Sequence, residues 1–289
     1  MKKYADFCYD QVGSYALQML DSFEGLRPQL TKAGIQVSLP EYVSMMLFSS
    51  IISGLVGTVF LSVIFILESG IPGLIMGISF GAMIGGGTFI GFYLLPSIKI
   101  NNRGAKIEDT LPFAVMYLST LAGTGTSVTE MFRNLAESDE YDELASEAEK
   151  IHRDIESFGM DIGEALTKGA ERSPSDDLEE VLWGMNHVIT TGGSLREFLD
   201  QRATSLMEDY ERRIDEFSEK LSLLVEMYII LVIVGSIIFT SMSVVVSAFG
   251  GIDPSLVILI QALSVFVGLP FISVGFIILV DGISPGGID

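Results

Sequence analysis

Charged positions along this chain are so unevenly placed that their gaps outline its architecture. Between Val43 and Ile98 the one acidic or basic side chain is Glu68, and between Met227 and Val280 it is Asp253. Four uncharged, mainly apolar runs result, at 43–67, 69–98, 227–252 and 254–280. Each exceeds the roughly 20 residues that cross about 30 Å of hydrocarbon. The pattern predicts four transmembrane helices in two hairpins, joined by "ESG" and "GGIDPS".

The polar stretch between the hairpins has helical rather than strand periodicity, with apolar residues recurring at three and four. Breakers divide it into six helices. The first covers about 107–122. "GTGT" (Gly123, Thr124, Gly125, Thr126) separates it from a second starting at Ser127. A third covers 141–158 and ends at Gly159; Asp161 starts the fourth, and "SP" at Ser173 and Pro174 stops it. Ser175 starts the fifth, Gly192 and Gly193 end it, and Ser194 starts the sixth. Three of these starts match. "SVTEMF", "DIGEAL" and "SLREFL" begin at Ser127, Asp161 and Ser194, 34 and 33 residues apart, each with Glu three residues after the cap. That spacing is a capping box, and the preceding glycines supply the left-handed turn that closes the previous helix.

The sixth helix carries a stripe of Leu199, Ala203, Leu206, Tyr210, Ile214, Phe217, Leu221 and Leu224, with its charges elsewhere. No Gly or Pro follows until Gly235, so the helix is expected to run unbroken into the third membrane run, about 50 Å long before the bilayer. In the second membrane run Gly73, Gly77, Gly81 and Gly85 recur every fourth residue, with Gly87 and Gly91 repeating the spacing. Such glycines let another helix approach closely. Its partner is either a second chain or a helix of this one.

Composition agrees with a membrane protein: 49% of residues are hydrophobic and the mean hydropathy is +0.48. All 17 Lys and Arg fall in residues 1–42 (four) and 99–226 (thirteen), which by the positive-inside rule places both segments in the cytoplasm. The expected organisation is an amphipathic cytoplasmic segment (1–42), two membrane helices (43–98), a helical cytoplasmic domain (99–226), two more membrane helices (227–280) and a cytoplasmic tail (281–289). "MKKYADFCYD" has no apolar core behind its lysines, so a signal peptide is not expected. The lone Cys8 excludes an intramolecular disulfide framework.

Residues 99–226 hold 13 basic and 28 acidic side chains, a net of −15, which argues against nucleic-acid binding. Such acidity suits a basic partner, a well-solvated domain or a high-salt host. Catalytic chemistry finds no foothold. "ITTGGSLREFL" has two glycines before a hydroxyl, yet no G-x-x-x-x-G-K-[ST] string occurs and no Lys follows to reach a phosphate. His152 and His187 lie 35 residues apart without further ligands at zinc spacing. Trp183 is expected in the core or at a helix contact. No catalytic residue, metal or cofactor is expected, and the membrane runs lack the intramembrane carboxylates of proton-coupled transporters.

At this point the residues resemble a family. "PFAVMYLSTLAGTGTSVTEMFRNLA" (112–136) and "IESFGMDIGEALTKGAERSPSDDLEEVLWGMNHVITTGGSLREFL" (155–199) resemble the F domain of secretion-system inner-membrane platform proteins. "LRPQLTKAGIQVSLPEYVS" (26–44) looks like the membrane-entry segment of Tad-type and archaeal members, and "EDTLPF…YLSTLAGTG" is more archaeal than bacterial in wording. The resemblance spans nearly the whole chain. It departs in carrying one such domain where archaellum and type II members usually carry two, which makes single-domain, Tad-like members the nearest in form. The resemblance implies a non-catalytic platform beneath a type IV pilus-like filament. That platform binds a cytoplasmic hexameric ATPase, passes its motion to pilin subunits, and works as a homodimer or with a related chain.

The expected fold is therefore an all-α membrane protein, two membrane hairpins flanking a six-helix antiparallel bundle. Antiparallel order would put the turns at Gly123–Thr126, Gly159 and Gly192–Gly193 at the far end from lipid, as candidate ATPase contacts. Two rivals are a membrane-anchored helical-repeat scaffold and a small transporter. The first lacks the W-x-x-L-G-x-x-Y string of tetratricopeptide repeats, and the second lacks a polar path.

Overall fold

The computed structural model describes residues 2–249 and 254–281, and every regular element among them is helical. Most of the expected "GGIDPS" turn, with Asp253, and nearly all of the 281–289 tail lie outside the described residues. Four helices are long and apolar enough to cross a membrane: Leu39–Leu67, Pro72–Gly123, Leu195–Ala248 and Ser255–Val280. The chain divides into two compact units, 1–202 and 203–289.

The first unit opens with α1 (Lys2–Met19), a 3-10 turn (Leu20–Phe23) and α2 (Leu26–Lys32). α3 (Leu39–Ser69) starts at a complete capping box in "SLPE". Glu41 N–H donates to Ser38 Oγ at 3.5 Å, Ser38 N–H donates to Glu41 Oε2 at 2.8 Å, and Pro40 fills a first-turn position that needs no donor. Gly70, at φ 66°, makes the tight reversal into α4 (Ile71–Gly123). The two helices approach backbone to backbone. A Cβ on Gly77 would lie 2.5 Å from Ser62 Cα, one on Gly81 equally close to Thr58 Cα, and one on Gly85 3.0 Å from the Ser50 carbonyl. Gly73 would overlap the Phe65 carbonyl in the same way, whereas Gly87 and Gly91 face open space.

α4 corrects one expectation. The helix foreseen from about residue 107 is the second half of a single 53-residue helix that begins in the second membrane run. "KINNRGAK" contains no breaker stronger than Gly104, and that glycine is needed for packing, since a Cβ there would lie 2.7 Å from the Pro174 carbonyl. Pro96 is tolerated because its missing N–H is replaced. The Phe92 carbonyl, four residues back, accepts a 2.7 Å hydrogen bond from the buried Tyr42 hydroxyl.

Then follow α5 (Val128–Ala136), a 3-10 turn (Asp139–Tyr141), α6 (Asp142–Glu156), α7 (Ile162–Arg172) and α8 (Asp176–Thr191). Leu111, Val115 and Leu118 of α4 converge with Phe132, Leu135, Leu144, Ile151, Leu178, Leu182 and Met185 on one small apolar cavity. Burying a side chain of this size stabilises by roughly 1.5–3 kcal/mol. Trp183 is a second correction, being 43% exposed rather than core. The buried face of α8 is Leu178, Val181, Leu182 and Met185, and position 183 falls off that stripe.

α9 (Leu195–Ile229) crosses the division between the units within its sequence. Leu199, Ala203 and Leu206 of its stripe are buried, while Ile214 is 38% exposed. As expected, the helical span is unbroken from Leu195 to Ala248. A π turn at Ile230–Val234 precedes α10 (Gly235–Phe249), and another at Ser264–Gly268 joins α11 (Pro254–Leu263) to α12 (Leu269–Asp281). Tyr228 on α9 meets α12 through a 2.9 Å hydroxyl pair with Ser273 and a ring contact with Phe276 at 4.7 Å.

Candidate functional site

Three glycine-marked turns carry the side chains foreseen as contacts. Gly125, Gly159 and Gly192 all have left-handed φ, at 78°, 66° and 73°. At the first and third, paired backbone bonds close the helix, Thr126 N–H to Leu121 O at 3.3 Å and Gly193 N–H to Val188 O at 2.9 Å. Thr124 Oγ1 donates to the Leu121 carbonyl at 2.7 Å and pairs with Thr126 Oγ1 at 2.8 Å. The following caps are partly those the spacing foretold. Ser127 and Ser194 each accept the N3 amide at 3.3 Å, whereas Asp161 accepts the N2 amide, Gly163, at 2.9 Å. At the first cap Glu130 does not reach back; its carboxylate takes Arg133 Nη2 at 2.6 Å. A guanidinium three residues on competes better than a neutral amide.

The helices that flank the turns touch one another pairwise. The first and second meet where His152 Nδ1 lies 3.3 Å from the Thr129 carbonyl, in an open groove lined by Ser127, Glu130, Arg133 and Glu156. The second and third meet at Gly163, where a Cβ would lie 2.8 Å from Asn186 Oδ1. The first and third meet at Gly123, where a Cβ would lie 3.2 Å from Arg196 Nε. The other two joints sit by residues 103–108 of α4. Ser175 Oγ donates to Glu108 Oε1 at 3.4 Å, and Lys106 pairs with Asp142 at 3.8 Å.

A buried ladder of charge, which the sequence reading missed, runs along α6. Glu143, Glu147, Lys150 and Asp154 follow at four, three and four residues and share one face. Arg103 of α4 donates from Nε to Glu143 at 2.8 Å, from Nη2 to Glu147 at 2.8 Å and from Nη1 to the Lys32 carbonyl at 2.8 Å. Arg172 of α7 faces Glu147 at 3.4 Å and donates to Asp154 at 2.6 Å, which also receives Lys168 at 3.0 Å. Burial pulls the Arg103 guanidinium down, but its bonds to Glu143 and Glu147 outweigh this and raise it on balance. Burial pushes Asp154 up, yet Arg172 and Lys168 hold it below the usual carboxylate range. Losing hydration costs such groups several kcal/mol each, so they persist only as a bonded set. One signal was available: Glu147 falls three residues after Leu144 and four before Ile151, a core position for a charged side chain. The ladder ties α2, α4, α6 and α7 together and offers no nucleophile or metal cluster, and among the described residues no three His, Cys, Asp or Glu side chains gather to hold an ion.

Residues 114–242 match the family model described as type II secretion system, protein F. An uncharacterized protein of Methanocaldococcus jannaschii is 28% identical over 202 residues, 66% of this chain and 33% of that protein. Flagella accessory protein J of the same organism is 27% identical over 135 residues, 46% of this chain and 24% of that protein. The chain thus spans a third or less of the length of these relatives. No solved structure matches it. The matched segment starts on α4, takes in the three turns and the ladder, and ends in α10. Over residues 114–242, less than half of its length, the chain is similar to type II secretion system protein F.

Proposed function

We propose that this chain is a non-catalytic membrane platform of a type IV pilus-like filament or secretion machine, coupling a cytoplasmic hexameric ATPase to the assembly of pilin-like subunits. One observation carries the reading: the turns meet at Gly123 of α4 and Arg196 of α9, and both helices include stretches apolar enough to cross a membrane. A partner gripping the turns therefore acts on two membrane helices at once. The pairwise contacts support a six-helix antiparallel bundle with Gly123–Thr126, Gly159 and Gly192–Gly193 at one end, away from Gly104 and Glu108. Glu130, Glu156, Asp161, Glu164 and Glu197 surround that end and favour a basic face on the ATPase. The termini and the bundle face the cytoplasm in this reading. The glycines at 73, 77, 81 and 85 close the chain's own hairpin, and the platform works as a homodimer or beside a related chain.

The test is co-purification from membranes with the secretion ATPase. Thr126→Arg and Gly193→Trp are expected to abolish ATPase capture, while Asp139→Arg, at the opposite joint, leaves it intact. Unchanged capture by both turn variants would overturn the docking surface. Solute flux through the purified chain in liposomes, without any ATPase association, would overturn the platform in favour of a transporter.

A further inference from the structure

Residues 1–42 read from sequence as a cytoplasmic segment, but the packing of α1 gives it a different surrounding. Tyr4 Oη lies 2.9 Å from Ser49 Oγ, and the Phe7 ring meets Phe48 edge-on at 5.6 Å. Ala5 and Cys8 cluster with Met45, and Ala16 clusters with Leu39, Tyr42 and Val43. Rising numbers in α1 meet falling numbers in α3, so the two helices are antiparallel. The start of α1 is thus level with Ser49, six residues inside the uncharged run that opens at Val43, or about 9 Å along the helix.

A second contact gives the same depth from the other membrane helix. Phe23, in the turn after α1, meets Phe89 at 6.2 Å and Tyr93 at 6.5 Å. Those residues lie ten and six positions before Lys99, so Phe23 sits about 9–15 Å inside the second run. Away from α3 the helix still shows aromatic side chains. Phe7 is 53% exposed and Tyr15 66%, with Tyr4 beside them. Asp6, Asp10 and Ser14 are exposed on the adjoining arc, and Gln11 and Gln18 are exposed among the aromatics.

We infer that α1 is seated in the lipid interface, its partner being the bilayer itself: Tyr4 and Phe7 lie among the upper acyl chains, Tyr15 lies nearer the headgroups, and the Asp6–Asp10–Ser14 arc faces headgroups and water. Tyrosine favours this zone because its ring is apolar and its hydroxyl is wet. Helices at this boundary bury apolar side chains to about 5–10 Å, the depth that the α3 contacts set for the first turns of α1, which descends beside α3 rather than lying flat. Protein on one side and lipid on the other account for Tyr4 and Phe7. The inference rests on α3 and α4 crossing the membrane and is independent of what the platform drives.

Tryptophan quenching by brominated lipid tests it in the full chain. Trp183 is the chain's one tryptophan and is exposed, so Trp183→Phe supplies a silent background. Into it go, singly, Phe7→Trp, Tyr15→Trp, Val59→Trp on the outer side of α3, and Phe158→Trp beside the Gly159 turn. Emission is compared in vesicles of plain phosphatidylcholine and of phosphatidylcholine brominated near the glycerol end of its chains. Phe7→Trp is expected to lose emission comparably with Val59→Trp, Tyr15→Trp to lose less but measurably, and Phe158→Trp to lose none. If the two α1 probes match Phe158→Trp while Val59→Trp is quenched, α1 does not touch lipid and the proposal falls. If Val59→Trp is also unquenched, the membrane assignment of α3 falls first and takes the proposal with it. A carbene photolabel dissolved in the lipid gives a readout on the unsubstituted chain. Adducts within residues 2–19 are expected, and α3 labelled without them overturns the seat equally.

Discussion

Replacing Arg103 with Met tests whether the charge ladder holds the helices together. Arg103 is 7% exposed and makes bonds to Glu143, Glu147 and the Lys32 carbonyl. The Glu143 side chain is 28% exposed, so water replaces most of that bond. The Glu147 side chain is 4% exposed and keeps Lys150 and Arg172, so it loses one charged bond, worth about 1.5–3 kcal/mol, without becoming wholly unpaired. The orphaned Lys32 carbonyl adds about 1 kcal/mol or more, and the apolar Met side chain offsets part of the sum. The net is a destabilisation of about 3 kcal/mol. For a cooperative unit of about 100 residues, where 1 kcal/mol moves Tm by about 4–8 °C, that is a fall of about 12–24 °C. The assay is near-ultraviolet circular dichroism melting of the detergent-solubilised chain, with Glu147→Gln added to Arg103→Met as the second arm. Removing the stranded carboxylate is expected to restore part of the loss. A fall under about 4 °C, with no recovery in the double variant, would refute the reasoning, because a mere surface pair contributes about that little.

Asp154 sets the acid limit of the same ladder. Its folded pKa lies below the usual carboxylate range, so its stabilisation is complete above that range and drains away as pH falls through the lower folded value. Asp154→Asn should therefore lower Tm at neutral pH and leave a flatter acid limb, the two melting curves converging as the pH falls; curves that stay parallel down the whole acid limb would show that Asp154 is not the group responsible. Gly81→Leu should splay the first hairpin, since even a Cβ there meets Thr58 backbone. Oxidative cross-linking of Ser53→Cys to Thr88→Cys, whose hydroxyls lie 2.9 Å apart, is expected to vanish in that background, and an undiminished yield would count against the seam. Ser127→Ala should cost about 1 kcal/mol through the lost Glu130 amide bond, read by the same melting assay. Tyr42→Phe, which strips the Phe92 carbonyl beside Pro96 of its donor, should cost about 1–3 kcal/mol, and no change would mean that α4 tolerates Pro96 without help.

Local rules made α5 to α8 legible: each break in the chain carried its own Gly, Ser or Asp, and the observed boundaries fall within a residue or two of those marks. Uncharged length likewise made the membrane helices legible, because hydrocarbon imposes one requirement on any sequence. What escaped notice depends on partners distant in sequence. Pro96 looks like a stop until Tyr42, 54 residues earlier, restores its lost bond. Arg103 looks like an ordinary surface charge, and Glu147 like a charge stranded on an apolar face, until α4 and α6 are side by side. Trp183 reads from sequence as core or a helix contact, and position on the helix wheel decides its exposure. The candidate turns were readable as corners from glycine alone, but their mutual contacts through His152, Asn186 and Arg196 came only with tertiary structure.

A single strut shared by two packed regions is the form of α4. Its 53 residues extend about 80 Å, with Gly123 at one end and the turn at Gly70 beyond the other. Arg103 fastens it to α2 and α6 at a point 20 residues from Gly123 and 32 from Ile71, about 30 and 48 Å away. On one side of that point Leu111, Val115 and Leu118 sit in the apolar core, and on the other Gly77, Gly81 and Gly85 close on α3. Tyr42 splints Pro96 between them. A push on the glycine corner would thus be carried along the shaft into the hairpin, with the ladder at Arg103 as the joint it crosses.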